Sequence, residues 1–183
     1  MVYIFFAEGT EELEFVTTAD VLRRADIDVA TVSAVPKTKE VTGAHGIKLV
    51  LDKSIDEIAG EECDMVILPG GMPGTTNLLE SEDIKELILS LEEEGKPLAA
   101  ICAAPLVLAA HGILRGRKAT IFPGFEDRLK DGAAEAADER VVVDGNIITG
   151  QGPGTALEFA LAVIEMLKGK SEADKVKKQM LIK

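Results

Sequence analysis

Two cysteines, two histidines and a run of glutamates near the N-terminus could carry chemistry in this 183-residue chain. Cys102 stands out. It follows the apolar run Leu98–Ile101 and opens an Ala/Leu-rich helical pattern, in KPLAAICAAPLVLAAHG over residues 96–112. Its small neighbours Ala99, Ala100, Ala103 and Ala104 allow a sharp strand-to-helix corner, as at a nucleophile elbow. A helix N-terminus behind the sulfur would favour the thiolate. Free cysteine is also among the most buried residue types, so core packing is the competing reading. Cys63 sits beside Glu61, Glu62 and Asp64. That negative field raises a thiol pKa, and Cys63 reads as structural.

A thiolate needs a proton partner. His111 lies nine residues further along the same pattern, about 13 Å away at the helical rise, and cannot serve. His45, in TGAHG over residues 42–46, could approach only through folding or from another subunit. Glu14 would sit in the first helical turns after the first strand, on the rim expected to carry Cys102. Glu11, Glu12 and Glu14 also read as solvated charges at a helix start. The run Gly70-Gly71-Met72-Pro73-Gly74 lacks the spacing of a phosphate or dinucleotide loop. At a strand's carboxyl end its free N–H groups are candidates for an oxyanion site, and a tight turn is the alternative.

The elements that must position these groups follow from periodicity. Val2–Ala7, Val29–Val35, Met65–Leu68 and Leu98–Ile101 read as buried strands, with a further strand at Lys118–Ile121. Val41–Leu51 reads as a turn or edge element leading into a strand. Arg140–Val143 and Ile147–Thr149 read as a hairpin through Asp144-Gly145-Asn146. Helices are expected from Thr10, as N-cap, to about Arg24, over Asp83–Glu94, from the Cys102 corner to Gly112, after Thr155, and over the tail from Glu172. In the helix after Thr155, Leu157, Leu161, Ile164 and Leu167 are expected to face inward. Strands alternating with helices predict an α/β fold: a doubly wound, mostly parallel sheet with helices on both faces and ligands at the strands' carboxyl ends. No repeat or linker interrupts the chain, so residues 1–183 are expected to form one domain.

The bulk composition excludes several classes. The formal net charge is −12, with 46% hydrophobic and 28% charged residues. No basic stripe is available for nucleic acid or an anionic membrane. Two cysteines form neither a disulfide framework nor a zinc pattern, which favours a reducing, cytoplasmic setting. The start MVYIFFAEGT has no basic leader region and no apolar run long enough to span a membrane.

Four stretches in order, AEGTEELE, MVILPGGMPGTTNL, LAAICAAPLVLAAHG and GPGTALEFALAVIEML, resemble the DJ-1/PfpI superfamily, and within it the DJ-1 (ThiJ-like) branch. The resemblance spans nearly the whole chain. It implies a flavodoxin-like fold, a homodimer, a reactive cysteine at Cys102 and a protonated glutamate at Glu14 hydrogen-bonded to its sulfur. It places backbone donors at Gly71 and Ala103, with Gly70 in the same loop. It puts a partner-subunit contact near His45 and a dimer-interface role on Arg24. No cofactor and no metal are implied. The implied activities are cofactor-independent glyoxalase or deglycase chemistry on reactive aldehydes and glycated groups, or redox sensing and chaperoning through an oxidisable Cys102. Two departures matter. Phe122 stands where relatives often carry histidine. Ala103 follows the cysteine where the peptidase branch has histidine, which argues against peptidase activity. A carboxylate beside a thiolate is a like-charge pair, relieved by one shared proton. The expectation is a lowered Cys102 thiol pKa and a raised Glu14 pKa, titrating together.

Overall fold

The computed structural model describes residues 1–132 and 134–182. In chain order its elements are β1 (Val2–Phe6), α1 (Glu12–Arg24), β2 (Val29–Ser33), β3 (Glu40–Thr42), β4 (Lys48–Val50), β5 (Lys53–Ser54), β6 (Met65–Leu68), α2 (Gly74–Glu80), α3 (Glu82–Glu93), β7 (Leu98–Ile101), α4 (Pro105–Ala110), β8 (Lys118–Ala119), α5 (Glu126–Asp131), β9 (Glu135–Ala136), β10 (Val141–Asp144), β11 (Ile147–Gly150), α6 (Ala156–Lys168) and α7 (Lys170–Gln179). Among the described residues, seven strands form one sheet in the order β10-β11-β7-β6-β1-β2-β5. All neighbours pair in parallel except β10 with β11.

The strands β1, β2, β6 and β7 are buried throughout because helices cover both faces of the sheet. Side chains alternate between two cores. Tyr3, Phe5, Val66, Leu68, Leu98 and Ala100 pack with Leu78, Ile84, Ile88 and Val107 from α2, α3 and α4. Val2, Ile4, Phe6, Ile67, Ala99 and Ile101 pack with Phe15, Leu22, Phe159, Val163 and Val176 from α1, α6 and α7. No helix among the described residues is long and apolar enough to cross a membrane.

The mostly parallel, two-faced sheet matches the expected class. Boundaries differ where local chemistry competes. Thr10 does not cap α1. Its Oγ1 accepts from the Ala7 N–H at 3.0 Å, and Glu11 is the cap, accepting from the Glu14 N–H at 2.7 Å. The expected strand at 118–121 is shortened to β8, because the Thr120 N–H turns to the Thr149 hydroxyl at 2.9 Å. Helix α2, a short element that the periodicity did not mark, has as its first residue Gly74, which closely approaches Thr10. In α6 only Ile164 of the four expected inward residues is fully buried, and Leu157 is exposed.

The topology places the site. The chain runs from β1 outward to β2, and β6 then returns to the other side of β1. Ligands in such sheets bind at the carboxyl ends around this switch point. The loops after β1, β6, β7 and β11 all leave from that edge.

Candidate active site

Cys102 follows β7 directly and has φ of +64°. A non-glycine residue in this left-handed region is strained and must be held by its surroundings. Here both of its backbone groups are committed. Its N–H donates to the Gly150 carbonyl at 2.9 Å, and its carbonyl accepts from the Phe122 N–H at 2.9 Å. The result is a fixed corner with the side chain only 8% exposed.

The helix expected behind Cys102 begins three residues further on. Residues 102–104 form a turn, and α4 begins at Pro105 and has six residues. What faces the sulfur instead is two individual backbone N–H groups, those of Gly71 and Ala103, which favour its anionic form. Gly71 has φ of +89°, and a Cβ there would lie 2.5 Å from the Glu11 nitrogen. Gly70 is equally confined, against the cysteine itself. Its Cβ would lie 2.6 Å from Cys102 Cβ and 2.9 Å from the Ala103 nitrogen. Both positions require glycine because two loops meet there at backbone distance.

Glu14 reaches the same point from α1. It is fully buried. One carboxyl oxygen, Oε2, accepts from the Gly70 N–H at 2.8 Å. The other, Oε1, is buried with no hydrogen-bond partner, and the neighbouring Cys102 thiol bears on the carboxyl's charge. Burial pushes the Glu14 pKa up to about 7, against the lowering effects of the Gly70 N–H and the thiol. Gly70 therefore spends its N–H on positioning Glu14, while Gly71 and Ala103 direct theirs at sulfur.

The Cys102 thiol moves opposite to expectation. Burial, then the Glu14 charge and hydrogen bond, push it up to about 12, against the two backbone donors. The Glu14 contribution depends on Glu14 being ionised. The pair is therefore neutral at acid pH, and the carboxyl takes the first negative charge as pH rises through about 7. Cys63 lies elsewhere, 4% exposed, with its thiol donating to the Met65 carbonyl at 3.4 Å. Burial pushes it up to about 11.

His45 is not among the groups bearing on the thiol. Its exposed ring places Nδ1 2.8 Å from Glu12 Oε2 and 3.8 Å from Glu11 Oε1. The Glu12 partnership holds His45 above its ordinary value. Glu12 is buried, and its other oxygen accepts from the His45 and Ile47 N–H groups at 2.8 and 3.3 Å. It anchors the β3–β4 turn rather than facing solvent as a helix-start charge. His111 caps the C-terminus of α4, and Arg24 pairs with Asp20 at 2.7 Å on the exposed side of α1. The cluster Glu11, Glu12 and His45 brings three possible ligand atoms within 4.8 Å of one another, with His45 paired to Glu12 at 2.8 Å. A cavity of about 550 Å³ is lined by Tyr3, Ile58, Glu61 and Leu87 among others and contains no part of the Cys102 site.

Two neighbours of the sulfur escape a sequence reading of ionisable groups. Gly152, after β11, would place an added Cβ 4.0 Å from Cys102 Sγ and 3.1 Å from the Phe122 ring. Phe122 is 41% exposed, and its ring meets that of Phe125 edge-on with centroids 6.3 Å apart. The available signal for Gly152 was a glycine-rich turn at a strand's carboxyl end, the same signal that marked Gly70 and Gly71.

The description "DJ-1/PfpI family" matches residues 1–166. Protein dj-1beta of Drosophila melanogaster is 41% identical over 179 residues, covering 98% of this chain and 95% of that protein. The crystal structure of Drosophila melanogaster DJ-1beta superposes with a TM-score of 0.95 at 39% identity, covering 100% of this chain and 97% of that one. An oxidised Toxoplasma gondii DJ-1 superposes with a TM-score of 0.93 at 37% identity, covering 98% and 97%. The glutathione-independent glyoxalase DJR-1.2 of Caenorhabditis elegans is 36% identical over 175 residues, covering 96% of this chain and 92% of that protein.

Proposed function

The chain belongs to the DJ-1/PfpI family, and from that premise and the geometry at Cys102 we propose that it is a cofactor-independent, cysteine-dependent enzyme of the glyoxalase or deglycase type. Its substrates are methylglyoxal, glyoxal or their adducts, and it protects a cytoplasm from reactive carbonyls. One observation carries the reading: a buried carboxyl poised near pH 7 beside a thiol that two backbone N–H groups also face.

The chemistry balances without a cofactor. As Sγ attacks the aldehyde carbon, the Glu14 carboxylate takes the thiol proton and the carbonyl π pair moves to oxygen. Glu14 returns that proton to the oxygen, giving a hemithioacetal. The Gly71 and Ala103 N–H groups stabilise negative charge as it passes from sulfur to oxygen. Glu14 then removes the proton from the former aldehyde carbon, and the adjacent carbon is protonated through an enediol. The product is a thioester with a neighbouring hydroxyl, and water releases a 2-hydroxy acid and the free thiol. The aldehyde carbon is oxidised by the same electron pair that reduces its neighbour. A carboxyl pKa near neutrality suits a group that must both give and take protons.

The same donors support a second reading, a redox-sensing or chaperone-like dimer. A Cys102 sulfinate would accept from the Gly71 and Ala103 N–H groups and from protonated Glu14. Steady-state formation of lactate from methylglyoxal, with Cys102→Ser and Glu14→Gln beside the unaltered protein, separates the two. Turnover lost in both variants supports the enzyme. Absence of lactate from the unaltered protein leaves the redox reading.

A further inference from the structure

Cys102 keeps its left-handed φ of +64° only while its surroundings hold it. The two groups that do so come from separate parts of the chain. The Gly150 carbonyl, at the end of β11, accepts from the Cys102 N–H, and the Phe122 N–H, beyond β8, donates to the Cys102 carbonyl, each at 2.9 Å. Strand β11 is fixed by its place in the central sheet, between β7 and β10. The Phe122 arm has no such place. Strand β8 ends at Ala119 and belongs to a separate two-stranded sheet with β9.

Thr149 supplies the missing tie. It precedes Gly150 on β11, lies on the same face as Ile147 and is buried. Its hydroxyl accepts from the buried Thr120 N–H at 2.9 Å. Among the described residues, that bond and the one from Phe122 to Cys102 are the hydrogen bonds joining residues 120–122 to β7, β11 or the cysteine corner. Three bonds of 2.9 Å thus close a ring. It runs from Cys102 to Gly150, along the chain to Thr149, across to Thr120, along the chain to Phe122 and back to Cys102. Thr149 contributes the one side-chain group in it. A buried N–H such as that of Thr120 is costly to leave unpaired, so the arm stays where the hydroxyl is.

We infer that Thr149 is a positioning residue for Cys102: its hydroxyl fastens the 120–122 arm to β11 and so holds the corner that aims Sγ at Glu14 and at the Gly71 and Ala103 N–H groups. The inference rests on the reading of Cys102 as the reactive thiol and on no particular substrate. Without the hydroxyl the arm is free to drift, the Cys102 carbonyl loses its donor and the strained φ relaxes. The sulfur then leaves the groups that take its proton and stabilise its charge.

Alkylation of the full chain by iodoacetamide at neutral pH, with both cysteines followed by peptide mapping, tests it. Thr149→Val keeps the side chain's shape and removes the hydroxyl. Thr149→Ser keeps the hydroxyl and removes the methyl group. The Cys102 rate is expected to fall by about tenfold or more in Thr149→Val, as a small misplacement of a reacting group does. It should return in Thr149→Ser. Cys63 belongs to the same core as Ile147 and Ile121 and reports general loosening. Its rate should stay unchanged in both variants. A Cys102 rate in Thr149→Val equal to or above that of the unaltered protein, or an equal loss in Thr149→Ser, overturns the positioning role. A rise at Cys63 beside the fall at Cys102 makes the effect one of general stability and also overturns it. Amide hydrogen exchange of the unaltered protein needs no variant to fold. The Thr120, Phe122 and Cys102 amides should open as one unit and share a protection factor. Opening of Thr120 and Phe122 independently of Cys102 would refute the ring. If Cys102 is no more reactive than Cys63 in the unaltered protein, the reading of Cys102 falls and the positioning role falls with it. A reactive Cys102 that is indifferent to Thr149 removes the positioning role alone.

Discussion

Glu14 and Cys102 are buried against each other, the first from the opening turn of α1 and the second from the left-handed corner after β7. The Gly70 N–H satisfies one oxygen of the carboxyl at 2.8 Å. The other oxygen has no hydrogen-bond partner. Such an oxygen is costly as a naked anion and comfortable as an acid donating to sulfur. The pair therefore binds one proton well, and its charge state is set by the pH range in which cells work.

That relationship makes stability pH-dependent in a stated direction. Burial raises the folded-state Glu14 pKa from 4.5 to about 7. The contribution is therefore complete below pH 4.5 and is lost as pH rises through 7. Relative to Glu14→Gln, the unaltered protein should lose on the order of 3 kcal/mol between pH 4.5 and 8. Urea unfolding of both proteins at pH 5 and pH 8 checks this. Parallel pH dependences would place the Glu14 proton elsewhere.

Cys102 is expected to be modified before Cys63. Both thiols are raised by burial, but Cys102 has two backbone N–H donors for the anion and a carboxyl able to accept its proton. Cys63 has only the Met65 backbone lowering its pKa and no carboxyl placed to accept its proton, and its thiol is spent on the Met65 carbonyl. Mild peroxide or iodoacetamide followed by peptide mapping should place the adduct on Cys102. In Glu14→Gln alkylation should persist while dicarbonyl turnover falls by about a hundredfold or more, the usual scale for losing a general acid–base. Turnover near that of the unaltered protein would assign the proton transfers to another group.

The elements at the site were legible because their signals are local. Alternation and apolar runs marked β1, β6 and β7, and the small residues around Cys102 marked a corner. Glu14 was readable only as one of three glutamates. What distinguishes it from Glu11 and Glu12 is burial against a loop from β6, a contact no spacing encodes. Glu12 illustrates the same gap: it is buried because the β3–β4 turn closes over it. The helix expected from the Cys102 corner starts later because the turn at 102–104 consumes the first residues of the pattern and α4 starts at its proline. The N–H groups that bear on the thiol are those of Gly71 and Ala103, one of them from a distant loop.

Gly70 should not tolerate a side chain. A methyl group there would lie 2.6 Å from Cys102 Cβ and 2.9 Å from both the Ala103 nitrogen and the Ile101 oxygen. Two of these three atoms are backbone and cannot rotate away. Gly70→Ala should cost about 1–3 kcal/mol, as overpacking does. It should also shift the Glu14 anchor and slow Cys102 alkylation measured on the folded fraction. Gly46→Ala is the control for backbone freedom: it shares a positive φ of 79° but has open space around it. It should lose some stability and leave Cys102 reactivity intact.

The last prediction concerns assembly. Leu13 and Val16 lie three residues apart on α1 and are both exposed, as are Ile47 and Val50 around the β3–β4 hairpin. Val16 and Val50 line one shallow groove with Leu49 and Phe15. The buried residues of α1, including Phe15, Val21 and Leu22, already satisfy its packing against the sheet and α6. A second apolar face on the same helix has no use within one chain, and contiguous exposed apolar surface marks an interface. The proposed homodimer would cover it, and Arg24, on the exposed side of the same helix, would lie near the contact. Static light scattering at micromolar concentration should give twice the chain mass. Val16→Asp should give the single-chain mass with an unchanged far-ultraviolet spectrum, since an exposed position is altered without touching the core. A monomer before mutation would end the dimer proposal, and a dimer that survives Val16→Asp would move its interface to another face.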